Sequence, residues 1–279
     1  MSKNIVQQMA RHYLNVTKSI IPMIDKHTIQ IFYKTDNDII PFGTGILVTY
    51  KNHFFIISAA HVLEIDHINN LLFEISGNEA GQTCFKGIGK YAVLTSQKVE
   101  DKRDNDKLDI AIMKLLGKED IEKLREHFDF YEYSEADFNH NPIEGIPYYV
   151  VFGYPATQTK INRHKRNKYR KAFVFNSRTR DFPNCEEENY SIDDNIFIDF
   201  PKKLQNGESG ELFIPPNPRG ISGCGLWCIT DSVNLQSRNW HYKLVGIMIE
   251  HHEQGLLVAT KLNQIDAIIR FINQEIESD

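Results

Sequence analysis

From Thr28 onward, apolar side chains recur at every second position. Ile29, Ile31 and Tyr33 alternate with polar neighbours, and the segments Gly43 to Thr49 and His53 to Ser58 follow across turn-forming residues. That period is the mark of half-buried β-strands joined as hairpins. Further short apolar runs predict strands at Leu71 to Ile75, Lys90 to Thr95, Leu108 to Leu115, Tyr148 to Tyr154, Ala172 to Asn176, Ile196 to Phe200, Gly225 to Thr230, Lys243 to Ile249 and Leu256 to Thr260.

The period changes to that of a helix in three places. Val6, Met9, Ala10, Tyr13, Leu14 and Thr17 share a helical face within residues 4–20, and the helix is expected to end before Pro22, which has no N–H to donate. Residues 119–127 predict a surface helix. Asn263 is the expected N-cap of a last helix that puts Ile265, Ile268, Ile269, Ile272 and Ile276 on one side. The charged stretches 99–107 and 177–195 read as exposed loops. Many short strands plus a terminal helix predict an all-β fold of paired antiparallel barrels, and neither repeats nor low-complexity tracts interrupt it.

Composition narrows the setting. The 279 residues, 41% hydrophobic and 25% charged, suffice for a sizeable core, and a net charge of -5 gives no global attraction to nucleic acid or anionic lipid. No apolar run approaches the roughly 18 residues that span a bilayer. Polar residues interrupt every apolar run of the first 26, so neither a cleaved signal nor a membrane anchor is expected. Four cysteines in so long a chain, Cys84, Cys185, Cys224 and Cys228, are expected to be reduced thiols. Cys224 and Cys228 have one residue too many between them for a CxxC pair, and His251 and His252 would point to opposite faces of a strand. Neither a metal nor a cofactor is expected.

Two blocks carry chemistry. Ile57-Ser58-Ala59-Ala60-His61-Val62 ends a strand on a histidine, and Gly220-Ile221-Ser222-Gly223-Cys224-Gly225 sets a serine in a glycine-rich turn. A serine hydroxyl needs a base to take its proton, and the base needs a carboxylate to fix its tautomer. Asp109, opening the otherwise apolar strand Ile110 to Leu115, is the best-placed acid. A glycine two residues before the serine lets the Gly220 and Ser222 N–H groups converge on a developing oxyanion.

In these blocks the chain resembles the trypsin/chymotrypsin-like serine peptidases, from about Thr28 to Ile269. His61 stands in the Ser-Ala-Ala-His block, Asp109 begins the Asp-Ile-Ala strand, and Ser222 holds the nucleophile position of Gly-x-Ser-Gly, in that order along the chain. Gly43-Thr44-Gly45, Val151-Phe152-Gly153-Tyr154-Pro155, Val245-Gly246-Ile247 and Val258-Ala259-Thr260-Lys261 are similar to further strands of the family. The resemblance implies a chymotrypsin-like fold: two packed antiparallel six-stranded β-barrels over 28–135 and 136–279, with an N-terminal helical extension over 1–27 and a C-terminal helix. It implies catalysis by His61, Asp109 and Ser222, with Gly220 and Ser222 forming the oxyanion hole.

Three departures shape the expectation. Val62 replaces the cysteine of secreted members, which fits a reducing compartment. Ile221 replaces the aspartate that captures a new N-terminus in zymogens, and Cys224 replaces a glycine, where it reads as a small buried hydrophobe. The resemblance puts Pro216 at the base of the substrate pocket, where trypsin-type preference would need an acid. Arg219, Ile249, His251 and Leu257 join it as candidate substrate-binding residues, favouring a small, apolar or acidic side chain. The expected protein is a bacterial-type cytoplasmic serine endopeptidase acting on proteins or peptides. By analogy it would be the effector of a stress or phage-defence pathway, with an activating protein partner. Two rivals stay open: a latent barrel-fold interaction module, and a nucleic-acid contact through the seven Lys and Arg of residues 160–171, the weaker of the two because a solvated basic loop accounts for that segment.

Overall fold

The computed structural model describes residues 3–64, 68–76, 83–100, 102–141, 148–162, 167–183, 185–205, 211–215, 217–230, 240–266 and 269. Helix α1 (Lys3–Lys26) leads into a first sheet of β1 (Thr28–Lys34), β2 (Ile39–Tyr50), β3 (His53–Ala59), β4 (Leu71–Ser76), β5 (Thr83–Lys86), β6 (Tyr91–Thr95), β7 (Ile110–Leu115) and β8 (Tyr131–Glu132). The strands run in the order β5-β4-β1-β2-β3-β7-β6, with β8 paired to β2. Helix α2 (Lys118–Arg125) follows β7, close to the expected surface helix. The sheet holds eight strands where six were expected. The two additions, β5 and β8, are too short to display a period of two.

The second sheet is six-stranded, in the order β12-β9-β16-β17-β18-β13, and is built from β9 (Tyr148–Gly153), β12 (Phe173–Ser177), β13 (Asn195–Asp199), β16 (Gly225–Thr230), β17 (His241–His252) and β18 (Leu256–Lys261). Two hairpins stand off it, β10 (Thr159–Asn162) with β11 (Asn167–Arg170), and β14 (Leu204–Gln205) with β15 (Leu212–Phe213). Both large sheets curl into antiparallel half-barrels, the two-barrel all-β architecture that the resemblance implied.

A shared hydrophobic seam joins the half-barrels. Ile46, Phe55 and Ile112 of the first sheet pack in one cluster with Val150, Phe152, Trp227 and Ile247 of the second. Tyr131 meets Trp227 edge-on at 5.2 Å, one of the arrangements aromatic pairs prefer.

Three expectations need correction. Helix α1 does not stop before Pro22 but runs through it to Lys26. Pro22 lies on the exposed side, where the carbonyl it frees can reach water, while Val16, Ile20 and Ile24 are fully buried in the seam. Burying Ile24 beyond the proline, at about 1.5–3 kcal/mol, offsets much of the cost of about 3 kcal/mol for an interior proline. The last helix begins at 262, ahead of Asn263, because Leu262 is itself a seam residue; Asn263 Oδ1 accepts the Gln264 N–H at 2.9 Å from inside the first turn. Ile265 and Ile269 are buried there too, whereas Ile268, Ile272 and Ile276 lie outside the described residues.

The third correction concerns the charged segments. Within 177–195, Phe182, Cys185 and Tyr190 are buried against Phe197 and Leu256, so this stretch is packed rather than a solvated loop. Within 99–107, Asp106 is buried and paired with Arg103 at 2.6 Å. Much of the basic segment 160–171 pairs as the strands β10 and β11 rather than forming a loop. Arg170 lies 4.1 Å from the Tyr154 ring centroid and pairs with Glu74 at 3.0 Å, and residues 163–166 fall outside the described residues. Among the described residues no helix is long and apolar enough to cross a membrane.

The burial of α1 is testable. Ile20→Ala and Ile24→Ala are each expected to cost about 2–5 kcal/mol in urea unfolding, the range for emptying a core site. A helix that only covered a barrel edge would lose within about 0.5 kcal/mol.

Candidate active site

Register brings His61 and Asp109 together. Strand β3 pairs antiparallel with β7, with Ala59 opposite Ile110, and the next rung is the Ala60 N–H donating to the Asp109 carbonyl at 2.8 Å. Beyond it the chain turns, with the Val62 and Leu63 N–H groups both donating to the Ala59 carbonyl, so His61 is turned back over Asp109. The carboxylate accepts twice from that residue: the His61 backbone N–H bonds Oδ1 at 2.9 Å, and the ring Nδ1 bonds Oδ2 at 2.6 Å. An ionised carboxylate only accepts, so the neutral ring carries its proton on Nδ1 and leaves the Nε2 lone pair free.

Asp109 has φ of +38°, in left-handed space where few non-glycine residues sit and aspartate is among the better tolerated. Its neighbours are pinned from several directions. The Leu108 N–H donates to Asp106 Oδ1 at 3.1 Å, and the Ile110 N–H donates to Ser96 Oγ at 2.9 Å. From the second half-barrel, Asn195 Nδ2 donates to the Lys107 carbonyl at 3.0 Å and Thr260 Oγ1 donates to the Leu108 carbonyl at 2.5 Å. The unusual backbone is over-determined by its surroundings, which is the condition under which such strain persists.

The serine turn is fixed by its own bonds and by β2. Ile221 N–H donates to Pro218 O and Cys224 N–H to Ile221 O, two tight turns that need φ of +96° at Gly220 and +86° at Gly223. A Cβ on Gly223 would overlap Ser58 Oγ and the Thr44 carbonyl, so only glycine lets the turn reach the end of β3. Thr44 holds it there: its N–H donates to the Ser222 carbonyl at 2.9 Å and its hydroxyl to the Gly220 carbonyl at 3.0 Å. Among the described residues neither the Gly220 nor the Ser222 N–H has an acceptor, and no hydrogen bond joins Ser222 Oγ to His61 Nε2. Cys224 fits because it faces Gly153, where a Cβ would come within 2.9 Å of its own; burial pushes its thiol far above the ordinary range.

A cavity of about 250 Å³ opens beside Ser222. Ile221, Met248 and Ile249 give it an apolar lining, with Arg219, Glu250 and His251 more exposed around it. Of the candidate substrate-binding residues, Arg219, Ile249 and His251 line this cavity. Leu257 does not: it is fully buried in the core of the second sheet with Ile196 and Ile198, because β18 is covered along its whole length. Pro216 lies outside the described residues. Sequence reasoning missed Glu250, which accepts from Tyr190 Oη at 2.7 Å and pairs with Lys107 at 3.3 Å, and it gave no role to Thr44 or Thr260.

The fold can be compared with known proteins. No protein-family model and no curated relative matches the chain. Among solved structures, the scabies mite inactivated protease paralogue S-I1 is similar over 89% of this chain and 95% of its own, at 16% identity and a TM-score of 0.51. The scabies mite inactivated protease paralogue S-D1 is similar over 90% of this chain and 93% of its own, at 13% identity and a TM-score of 0.53. The chain has a trypsin-like protease fold.

Electrostatics sets a measurable property of the pair. Burial disfavours the His61 imidazolium, but the hydrogen bond and charge of Asp109 outweigh it and hold the ring above its ordinary 6.5. Burial pushes the Asp109 carboxyl up, against the bonds from His61 that favour its charged form. A raised histidine value means that the ion pair contributes stability fully below pH 6.5 and loses it as pH rises through the folded midpoint. The His61 ring is expected to titrate by NMR with a midpoint above 6.5, and Asp109→Asn to move that midpoint down. An unchanged midpoint in the variant would rule out Asp109 as the cause.

Proposed function

We propose that this chain is a serine endopeptidase in which Ser222 is the nucleophile, His61 the general base and then acid, and Asp109 the group that fixes His61. The reading rests on the doubly bonded His61–Asp109 pair at the end of β3 and on a serine turn, tied to that end through Thr44, whose Gly220 and Ser222 N–H groups have no acceptor among the described residues. Ser222 Oγ would attack a peptide carbonyl as His61 Nε2 takes its proton. The Gly220 and Ser222 N–H groups would hold the oxyanion, and His61 would then pass the proton to the leaving amine. Asp109 keeps the proton on Nδ1, so that Nε2 is always the accepting atom.

The cavity beside Ser222 supports preference for a medium-sized apolar side chain on the acyl side of the cut bond. Ile221, Met248 and Ile249 supply the contact, and Glu250 is drawn away by Lys107 and Tyr190. Burial lowers His251 below 6.5, so it presents a neutral ring near pH 7 rather than a charge for an acidic side chain.

A second reading has its own support. Ser222 Oγ and His61 Nε2 are not hydrogen-bonded, and both solved structures named above are described as inactivated protease paralogues. A cleft that is latent until a partner closes it would show this arrangement, although catalytic bonds are often long before substrate arrives.

Fluorophosphonate labelling separates the readings. Wild type is expected to label and Ser222→Ala and His61→Ala not to; absence of labelling in wild type would leave the latent module as the better reading. Asp109→Asn should lower kcat by roughly 10⁴-fold with folding intact, through loss of the tautomer it enforces. Against fluorogenic peptides, leucine or methionine at the cut residue should exceed alanine by roughly tenfold or more in kcat/KM. A preference for aspartate or glutamate would overturn the apolar assignment.

A further inference from the structure

A second cavity lies away from the one beside Ser222. It measures about 750 Å³, within the size range of small-molecule sites, and lies on the other side of the Asp109 turn. Its wall includes Ser96, Asp106, Leu108 and Asn195, residues that supply or receive the bonds pinning that turn. Among the described residues, five non-glycine residues have positive φ; Lys51 and Asn52 form one hairpin turn, and the other three are Asp109, next to this wall, and Glu100 and Asn189 within it. Backbone strain gathered around a cavity of this size points to a site rather than to a packing gap.

We propose that this cavity is an effector site for an organic cation, an ammonium or guanidinium on an apolar body, whose binding acts on Asp109 through the bonds that hold its turn. Apolar contact would come from Leu108, Ile110 and Val99, the last 49% exposed. Charge in the wall selects the sign. The Lys107 ammonium already pairs with Glu250 and lies 4.6 Å from the Tyr190 ring centroid, and Asp106 is neutralised by Arg103. Asp194 Oδ1 accepts the uncharged Gln264 amide at 2.5 Å, with the Lys261 ammonium, bonded to the Ile192 carbonyl, in charge range of that carboxylate, and Glu100 has no cation paired to it among the described residues. Glu100 leaves the described wall with an unbalanced negative charge, and a cation with an apolar body matches both features of the wall.

Coupling follows from shared atoms. A ligand seated against Leu108 and Asn195 shifts the same carbonyl and amide contacts that hold Lys107, Leu108 and hence Asp109, and Asp109 sets the charge state of His61. The link to turnover rests on the triad proposed above, whereas binding and its effect on His61 do not.

The test uses NMR on the full chain with phenethylamine as a free cation, acetyl-leucyl-lysine amide as a peptide-borne one, and phenylpropionate as the anionic control. Either cation should perturb the Ser191 and Asn195 amides and move the His61 titration midpoint, while phenylpropionate does neither. A response to the lysine peptide alone would name a protein partner as the source of the group, and a response to phenethylamine a free amine. Combined Glu100→Gln and Asp194→Asn should weaken binding by roughly tenfold, the sum expected of two modest charge pairs. No binding up to about 10 mM, shifts at Ile221 and His251 instead, or binding that leaves His61 unmoved would each overturn the inference. Should wild type fail to react with fluorophosphonate while the cation still binds and moves His61, the peptidase reading falls and the effector site stands.

Discussion

Thr44 carries the constraint on which the rest of the cleft depends. A site split between two half-barrels is only as well placed as the barrels are registered, and a greasy seam sets that register loosely because hydrophobic contact has no direction. Thr44 supplies direction. It donates its N–H and its hydroxyl to two carbonyls of the serine turn, while its own carbonyl accepts from Ser58 Oγ at 2.7 Å, three residues before His61. Seam, serine turn and histidine strand are thereby referred to one residue. The Asp109 turn is held in the mirror-image sense, by Asn195 and Thr260 reaching back from the second half-barrel.

Much of this was legible in the chain. Twelve predicted strands correspond to strands of the structure because each was long enough to show its period, and His61, Asp109 and Ser222 were legible because each sits in a short contiguous block. What escaped was non-local. Nothing near Leu257 in sequence says that β18 is covered on both faces; that follows only once Leu257 and Ala259 pack into one cluster and Leu256 and Val258 pack against Phe182 and Tyr190 in another. The aromatic residues of 177–195 were outvoted by the charges around them, although Phe182 and Tyr190 at the same spacing in a less charged stretch would have read as core.

Pro22 teaches a related lesson about local rules. A proline ends a helix when nothing else asks the helix to continue, and here Ile24 does, from a seam that gathers residues from Val16 to Ile269. The same competition moved the start of the last helix to Leu262. In both cases the local preference was read correctly and lost to tertiary packing, which routinely overrides propensity.

The seam also fixes when a cleft can exist. Val16, Ile20 and Ile24 share it with Leu262, Ile265 and Ile269, so its first and last contributors are separated by nearly the whole described chain. Contacts of such sequence separation form late, after the intervening loop entropy has been met. During synthesis the first half-barrel emerges with no serine, no covered seam, and an Asp109 turn that still lacks its bonds from Asn195 and Thr260. The cleft is therefore assembled only after the residues of the last helix, Ile269 among them, have joined the cluster.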